Sequence, residues 1–459
     1  MDITAKLWSY CHILRHDGVD YVDYIEQLTY LLFLKMAEES EISVPEDCNW
    51  KNLLSVEGED LKRKYENILQ ELKKEKGILG EIFQEPISKI QNPSSLKKII
   101  DGIESIGWTK LNKDVQGEAF EGLLEKTANE GKKGAGQFFT PRPLIQAIVE
   151  VMKPDPTEEK NFVIGDTSCG TGGFLTMAVE WAKKNVNESK RNKLSNNSYF
   201  GQELVVRPYR LALMNMFLHG VKADLKLGDS IYIEDAPKNE LNCVLTNPPF
   251  GTRGSVGPPN RNFVVTTSNL QLNFIQHIFY LLKANGRAAI VLPDSSLSDT
   301  KAKELWGILI GKDLCNVHTI LRLPNGTFNP YANGVRACVV FLEKGKKTEN
   351  IWIYDARTDV EDITKASRPL DYEKHFSEFV KSYGNQPNGN SKRAETEKFK
   401  KYTLKEIKEK NYDLSTTQIY QPKKLEEPVY YIDKLIDNFE QQLNDLKALK
   451  EILQIKENE

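Results

Sequence analysis

A buried strand, a glycine turn and a helix follow one another without a spacer between Asn161 and Lys184. Asn161-Phe162-Val163-Ile164-Gly165 reads as the strand, and Asp166 closes it. Thr167-Ser168-Cys169-Gly170-Thr171-Gly172-Gly173 then leads into a helix from Phe174 to about Lys184. This is the opening unit of nucleotide-binding α/β folds. Glycines let a ligand approach the backbone, and the helix start presents free N–H groups to an anion. The spacing is neither Gly-x-Gly-x-x-Gly nor a P-loop, because the Lys-Ser/Thr ending is missing. A zwitterionic amino-acid ligand fits better, with its ammonium at Asp166 and its carboxylate on the N–H groups. Cys169 reads as packing.

Strand and helix keep alternating downstream. Tyr199-Phe200-Gly201-Gln202-Glu203 ends in an acid suited to two ribose hydroxyls, and a helix pattern covers 206–218. Leu225-Lys226-Leu227-Gly228-Asp229-Ser230 supplies a further strand-end acid, suited to an adenine amino group. A strand at 242–246 runs into Asn247-Pro248-Pro249-Phe250. Each proline fixes its own φ and extends the residue before it, so a short amide sits on a rigid rim with a ring three residues on. That rim can offer two carbonyls to one planar NH₂ group. Taken alone, it is equally a strand followed by a Pro-rich turn. What favours a site is that acids recur at strand ends, where ligands of open α/β sheets bind. After the loop 251–268, which carries Arg253 and Arg261, helix patterns at 269–283 and 301–311 flank a strand at 287–292. Strands near 317–323, 335–342 and 350–354 close the sheet. The short link between the last two predicts an antiparallel hairpin at the edge.

The 459 residues suffice for about three domains. Residues 1–130 read as all-helical, with pieces at 20–39, 60–75, 78–90 and 95–106 broken by Pro45, Pro86 and Pro93. His12 and His16 share a helix face but lack the glutamate of a zinc helix, and no metal site is expected. Gly131 to Gly136 form a basic loop before Gln137-Phe138-Phe139-Thr140-Pro141-Arg142-Pro143, where Thr140 suits an N-cap and Pro141 the first helical position. The catalytic region extends over 131–370. A charged, partly disordered linker follows at 371–429, and then a helix at 430–459. In that helix Ile432, Phe439, Leu446 and Leu453 recur every seven residues, with Leu435, Leu443 and Leu449 between them. The seam reads as a partner-binding face. Six widely spaced cysteines fit a reducing cytoplasm, and no apolar run is long enough for a membrane span. A net charge of −3 is too little for an autonomous polyanion binder, so action on DNA would need a local basic surface or a partner.

Gln137 to Pro143, Asp166 to Phe174, Gly201-Gln202-Glu203 and Asn247 to Phe250, in that order, resemble the gamma-class DNA adenine-N6 methyltransferases. More closely, they resemble modification subunits of type I restriction–modification systems. Leu292-Pro293-Asp294, Arg322 to Phe328 and Asn411-Tyr412-Asp413-Leu414-Ser415 are similar to further segments of that family. Thr167-Ser168-Cys169 departs from it, since Pro-Ala-Cys or Pro-Ala-Ala is more usual there. The resemblance implies a helical N-terminal domain followed by a Rossmann-like, mostly parallel seven-stranded sheet. It implies S-adenosylmethionine as cofactor, held by Gln137, Phe138, Phe139, Thr140, Pro141 and Arg142, by Asp166, by Gly170, Thr171, Gly172 and Gly173, and by Glu203 and Asp229. Asn247 and the Pro248 carbonyl would accept the hydrogens of a flipped adenine, with Pro249 stiffening the rim and Phe250 stacking on the base. Implied partners are double-stranded DNA and a specificity subunit that carries two modification subunits. A nuclease-motor subunit can join them in a prokaryotic cytoplasm. Protein glutamine-N5 methylation and a non-catalytic DNA-clamping role are the competing readings.

Overall fold

The computed structural model describes residues 3–38, 42–108, 111, 113–130, 140–187, 190, 196–232, 238–251, 263–329, 334–358, 360–364 and 367–415. In the tail it describes 429, 432–433, 435–436 and 439–447. The chain forms two compact units, Met1–Thr417 and Gln418–Glu459.

The first unit is built on a nine-stranded sheet of order β3-β2-β1-β4-β5-β7-β6-β8-β9. Its strands are β1 (Ile164–Asp166), β2 (Asn196–Glu203), β3 (Lys222–Leu227), β4 (Leu241–Thr246), β5 (Leu282–Pro293), β6 (Cys315–Arg322), β7 (Ala337–Lys344), β8 (Asn350–Asp355) and β9 (Phe399–Thr403). The chain lays β1, β2 and β3 outward in one direction and then returns to place β4 on the other side of β1. That reversal opens a crevice beyond the carboxyl ends of β1 and β4, where open parallel sheets take ligands. All six residues of β4 are buried, as a central strand covered on both faces must be.

Seven strands were expected, and nine form. The expected edge hairpin of 335–342 with 350–354 is replaced by another arrangement. β7 inserts between β5 and β6, antiparallel to both, and β8 pairs with β6 in parallel. The short β7–β8 link passes over the start of β6 because that strand supplies anchors. Gly345 N–H donates to the Leu314 carbonyl, and Thr348 Oγ accepts from the Val317 N–H. The antiparallel edge is the β8–β9 pair instead. Residues 372–415, expected as linker, therefore belong to this unit. Phe379, Tyr383 and Phe399 are fully buried there, and Arg393 lies over the Tyr383 ring. A polar composition around a few buried rings concealed this.

Before the sheet come the helices Ile3–His16, Tyr21–Glu38, Trp50–Leu54, Gly58–Leu72, Ile78–Ile82, Pro93–Glu104 and Lys113–Glu130. The helical piece expected at 78–90 is a single turn. Pro93 begins a helix rather than breaking one, and Asn92 caps it. Of these, Tyr21–Glu38, Ile78–Ile82 and Lys113–Glu130 pack on the helix Val206–Leu218 behind β2 and β3. Arg210 of that helix is 1% exposed. It donates to the Ile82 carbonyl at 2.6 Å, pairs with Glu26 and lies over the Tyr30 ring. Phe217 meets Phe33 with ring centroids 5.3 Å apart.

Candidate active site

The crevice is a cavity of about 770 Å³, lined by the ends of β1 and β2, the turns that follow β3 and β4, the helix Lys113–Glu130, residues 327–329, and Ile363, Pro369 and Leu370. That volume exceeds what one nucleoside needs.

On one side stand the acids. Asp166 ends β1 at 1% exposure and accepts from Thr246 Oγ1 at 2.6 Å and from the Ser168 N–H at 3.1 Å. Burial pushes its carboxyl up to about 7, and the nearby Glu203 charge adds to the rise. Glu203 ends β2 and accepts the Gly170 N–H at 3.0 Å and the Val205 N–H at 2.9 Å. Burial raises its pKa as well, while those N–H groups pull it down. Gly170 reaches Glu203 because the turn runs through left-handed backbone at Gly170 (φ 54°) and Gly172 (φ 84°), which glycine adopts without strain. Asp229, after β3, accepts the Ile231 N–H and lines the same wall. Thr171 and Gly173 line the cavity floor. Acids at three adjacent strand ends, beside a glycine turn whose Gly170 N–H serves Glu203, fit a ligand that carries an ammonium and a ribose. S-adenosylmethionine has both.

On the other side stands the rim. Asn247 Nδ2 donates to Thr140 Oγ1 at 3.1 Å, while Asn247 Oδ1 is buried and has no partner among the described residues. An amide oxygen held out of water without a donor is costly in the empty site and becomes useful when a donor arrives. Ser168 Oγ donates to the Asn247 main-chain carbonyl at 3.1 Å, and Gln271 Nε2 to the Pro249 carbonyl at 2.8 Å. Phe250 meets Phe328 edge-on, with centroids 5.7 Å apart at 83°.

Thr140 corrects the expected helix entry. The helix is Arg142–Met152 with Pro141 as its N-cap residue, and the Thr140 hydroxyl serves Asn247 rather than the helix. Gln137, Phe138 and Phe139 lie outside the described residues, as does most of the 251–268 loop. Arg142 lines the cavity and pairs with Glu121, which comes from the helix Lys113–Glu130 and is 4% exposed. Thr176 Oγ1 also donates to Glu121, at 2.5 Å. No local pattern marked Glu121, because every partner lies distant in sequence. Phe328 was legible as part of the Arg322–Phe328 segment. Glu121, Glu180 and His219 converge as metal ligands would, but Arg142 already brings a cation, 3.7 Å from Glu180.

A sequence model of N-6 DNA methylases matches residues 111–428, more than half of the chain. The chain belongs to the N-6 DNA methylase family. A model of the HsdM N-terminal domain matches residues 3–43 of this methylase. The StySJI type I restriction methylase subunit of Salmonella typhimurium is 37% identical to it over 428 residues, 86% of this chain and 78% of that one. The EcoKI methylase subunit of Escherichia coli K12 is 36% identical over the same shares. Among solved structures, the EcoKI M protein aligns with TM-score 0.55 at 29% identity, covering 99% of this chain and 96% of that one. A chain from a study of complex assembly and conformational transition in the type I R-M system aligns with TM-score 0.75 at 25% identity, covering 98% of both. This N-6 DNA methylase is the modification subunit of a type I restriction–modification system, an adenine-specific DNA methyltransferase. Glutamine-N5 methylation and a purely structural role are set aside with that assignment.

Proposed function

We propose that the chain uses S-adenosylmethionine to methylate N6 of an adenine flipped out of double-stranded DNA, at sequences chosen by a separate specificity subunit. The observation that carries this reading is the buried Asn247 Oδ1, without a partner among the described residues, beside a wall of strand-end acids. Asp166 would hold the ammonium of the cofactor, Gly170 to Gly173 its carboxylate, Glu203 its ribose and Asp229 its adenine, with Gln137 to Arg142 closing over it. When bound, the cofactor supplies an electrophilic methyl group.

The acceptor side follows from the rim. The adenine amino lone pair is delocalised into the ring and attacks poorly. Asn247 Oδ1 and the Pro248 carbonyl, each accepting one N6 hydrogen, favour a more pyramidal and electron-rich nitrogen. Thr140 holds the other end of the Asn247 amide, so that acceptor is aimed before the base arrives. Extruding the base costs a few kcal/mol. Stacking on Phe250, worth about 1–3 kcal/mol, offsets part of it. Phe328 braces that ring from its edge.

The functional division follows the sequence reading: a helical region 1–130, a catalytic region 131–370 and a partner-binding helix at 430–459. In the second unit Leu435, Phe439, Leu443 and Leu446 are between 52% and 66% exposed, which suits a helix that docks on another subunit. Two such chains would share one specificity subunit, and a nuclease-motor subunit would join them. Among the described residues no helix is long and apolar enough to cross a membrane.

The test is Asn247→Ala in the complex with the specificity subunit, read as label transfer from S-adenosylmethionine to DNA. Loss of one preorganised acceptor should lower the rate about 10²–10³-fold. Cofactor binding and thermal unfolding should be unchanged. Near-normal labelling of DNA would remove Asn247 from the reaction.

A further inference from the structure

The cofactor wall and the catalytic rim are joined by a chain of side-chain hydroxyls that the reaction scheme above does not use. Thr246 Oγ1 lies 2.6 Å from Asp166 Oδ1, 3.0 Å from Ser168 Oγ and 3.2 Å from Thr167 Oγ1. Ser168 Oγ in turn lies 3.1 Å from the Asn247 main-chain oxygen. Thr167 and Thr246 are fully buried, so water does not substitute for the bond between them, while Ser168 is half-buried on the cavity wall.

We propose that Ser168 and Thr246 are positioning residues for methyl transfer, which fix the Asn247 backbone and make its hydrogen bonding depend on the charge of Asp166. This rests on the reading of Asn247 given above.

Counting protons makes the dependence concrete. Each hydroxyl has one proton to give, and the Asn247 carbonyl can only accept. A charged Asp166 takes the Thr246 proton. The Ser168–Thr246 contact must then draw on the Ser168 proton, for which the Asn247 carbonyl competes. A neutral Asp166 donates to Thr246, whose own proton then goes to Ser168 or to Thr167; when it goes to Ser168, the Ser168 proton is left for Asn247. The ionisable groups facing Asp166 are Glu203 from the end of β2 and Cys169 in its own turn, while β4 presents the Thr246 hydroxyl. Burial places the Asp166 carboxyl at about 7 before the cofactor binds, so both states are within reach there, and an ammonium beside it then holds the charged one.

The rim needs such an anchor. Pro248 and Pro249 have no N–H, so this stretch cannot tie itself down by local backbone bonds. Its carbonyls at 247 and 249 are held by Ser168 and Gln271, two side chains from different elements.

The experiment uses the full chain with its specificity partner, DNA and labelled cofactor. Ser168→Ala should lower kcat about 3- to 10-fold, the value of one net hydrogen bond. The dissociation constant and KM for the cofactor should move less than about twofold. Thr246→Val keeps the shape of the side chain and removes the competitor for the Ser168 proton, so kcat should fall less than in Ser168→Ala. The double variant should be no slower than the slower single, because both changes cut one chain. A Ser168→Ala enzyme with unchanged kcat, or a loss carried wholly by the cofactor KM, overturns the proposal. So do losses that multiply in the double variant. If Thr246→Val does not fold, the Ser168→Ala split between kcat and KM decides alone. A wild-type complex that fails to methylate DNA sinks the underlying reading instead.

Discussion

Cofactor binding should release a proton, and Asp166 should be its source. Burial raises the Asp166 carboxyl from 3.8 to about 7. Ionising it in the empty site therefore costs about 4 kcal/mol relative to the unfolded chain. Because the folded value is the higher one, the stability this group gives the cofactor-free protein is fully present below about 4. It is lost as pH rises through about 7. An ammonium seated beside Asp166 reverses the preference and stabilises the charged form. At pH 6 about nine in ten molecules hold the Asp166 proton, so binding must expel close to one proton per site. At pH 8 it expels almost none. The affinity should weaken about tenfold, or about 1.4 kcal/mol, for each pH unit below 7. Calorimetric titrations of S-adenosylmethionine in buffers of different ionisation enthalpy count the released protons directly. Asp166→Asn should bind more weakly at pH 8 and lose the dependence between pH 6 and 8. Wild-type binding with no proton release between pH 6 and 8 would refute both the burial argument and the ammonium assignment.

Phe250→Ala should raise the KM for DNA and lower kcat/KM about 5- to 150-fold, the equivalent of about 1–3 kcal/mol of lost stacking. Phe250→Tyr should restore most of it, and equal kcat/KM values for all three proteins would count against stacking. Arg210→Ala leaves the buried Glu26 carboxylate only Arg207, 3.4 Å away, and should destabilise the first unit by at most about 3–5 kcal/mol. A denaturant midpoint unchanged from wild type would show that pair to be idle. Gly201→Ala would place a Cβ 2.5 Å from the Leu225 side chain and 3.0 Å from that of Leu175. A lowered melting temperature is expected, and no change would mean the neighbours repack freely.

What the sequence made legible was local. The strand, turn and helix around Asp166 could be read because their signals sit within about twenty residues. The acids at Glu203 and Asp229 could be read because each ends an apolar run. Thr140 was misjudged for the same reason. Threonine before proline looks like a helix cap, but the chain spends the hydroxyl on an asparagine 107 positions away. Glu121 carried no signal, since its partners Arg142, Thr176 and Asn215 come together only in the folded unit. β9 was hidden in another way. Phe399-Lys400-Lys401-Tyr402-Thr403 is short and lysine-rich, as an edge strand that must not recruit another chain should be. The insertion of β7 between β5 and β6 is a pairing choice, and a one-dimensional pattern does not encode which neighbour a strand takes.

The carboxylate that Glu121 sends into the cavity wall bears on how this protein can be cut apart and reassembled. A fragment beginning at the glycine-rich loop would contain every motif of the transfer reaction. It would nonetheless take the buried Glu121 carboxylate from the Arg142 guanidinium, leaving it only Glu180 at 3.7 Å, and leave Thr176 only the Gly173 carbonyl as acceptor. It would also expose Arg210 and the ring of Phe217 on what had been an interior face. The helices ahead of the sheet are thus not a detachable adaptor. Exchange of modules between relatives should keep the helices and sheet of one parent together, with the crossover placed beyond Ser415.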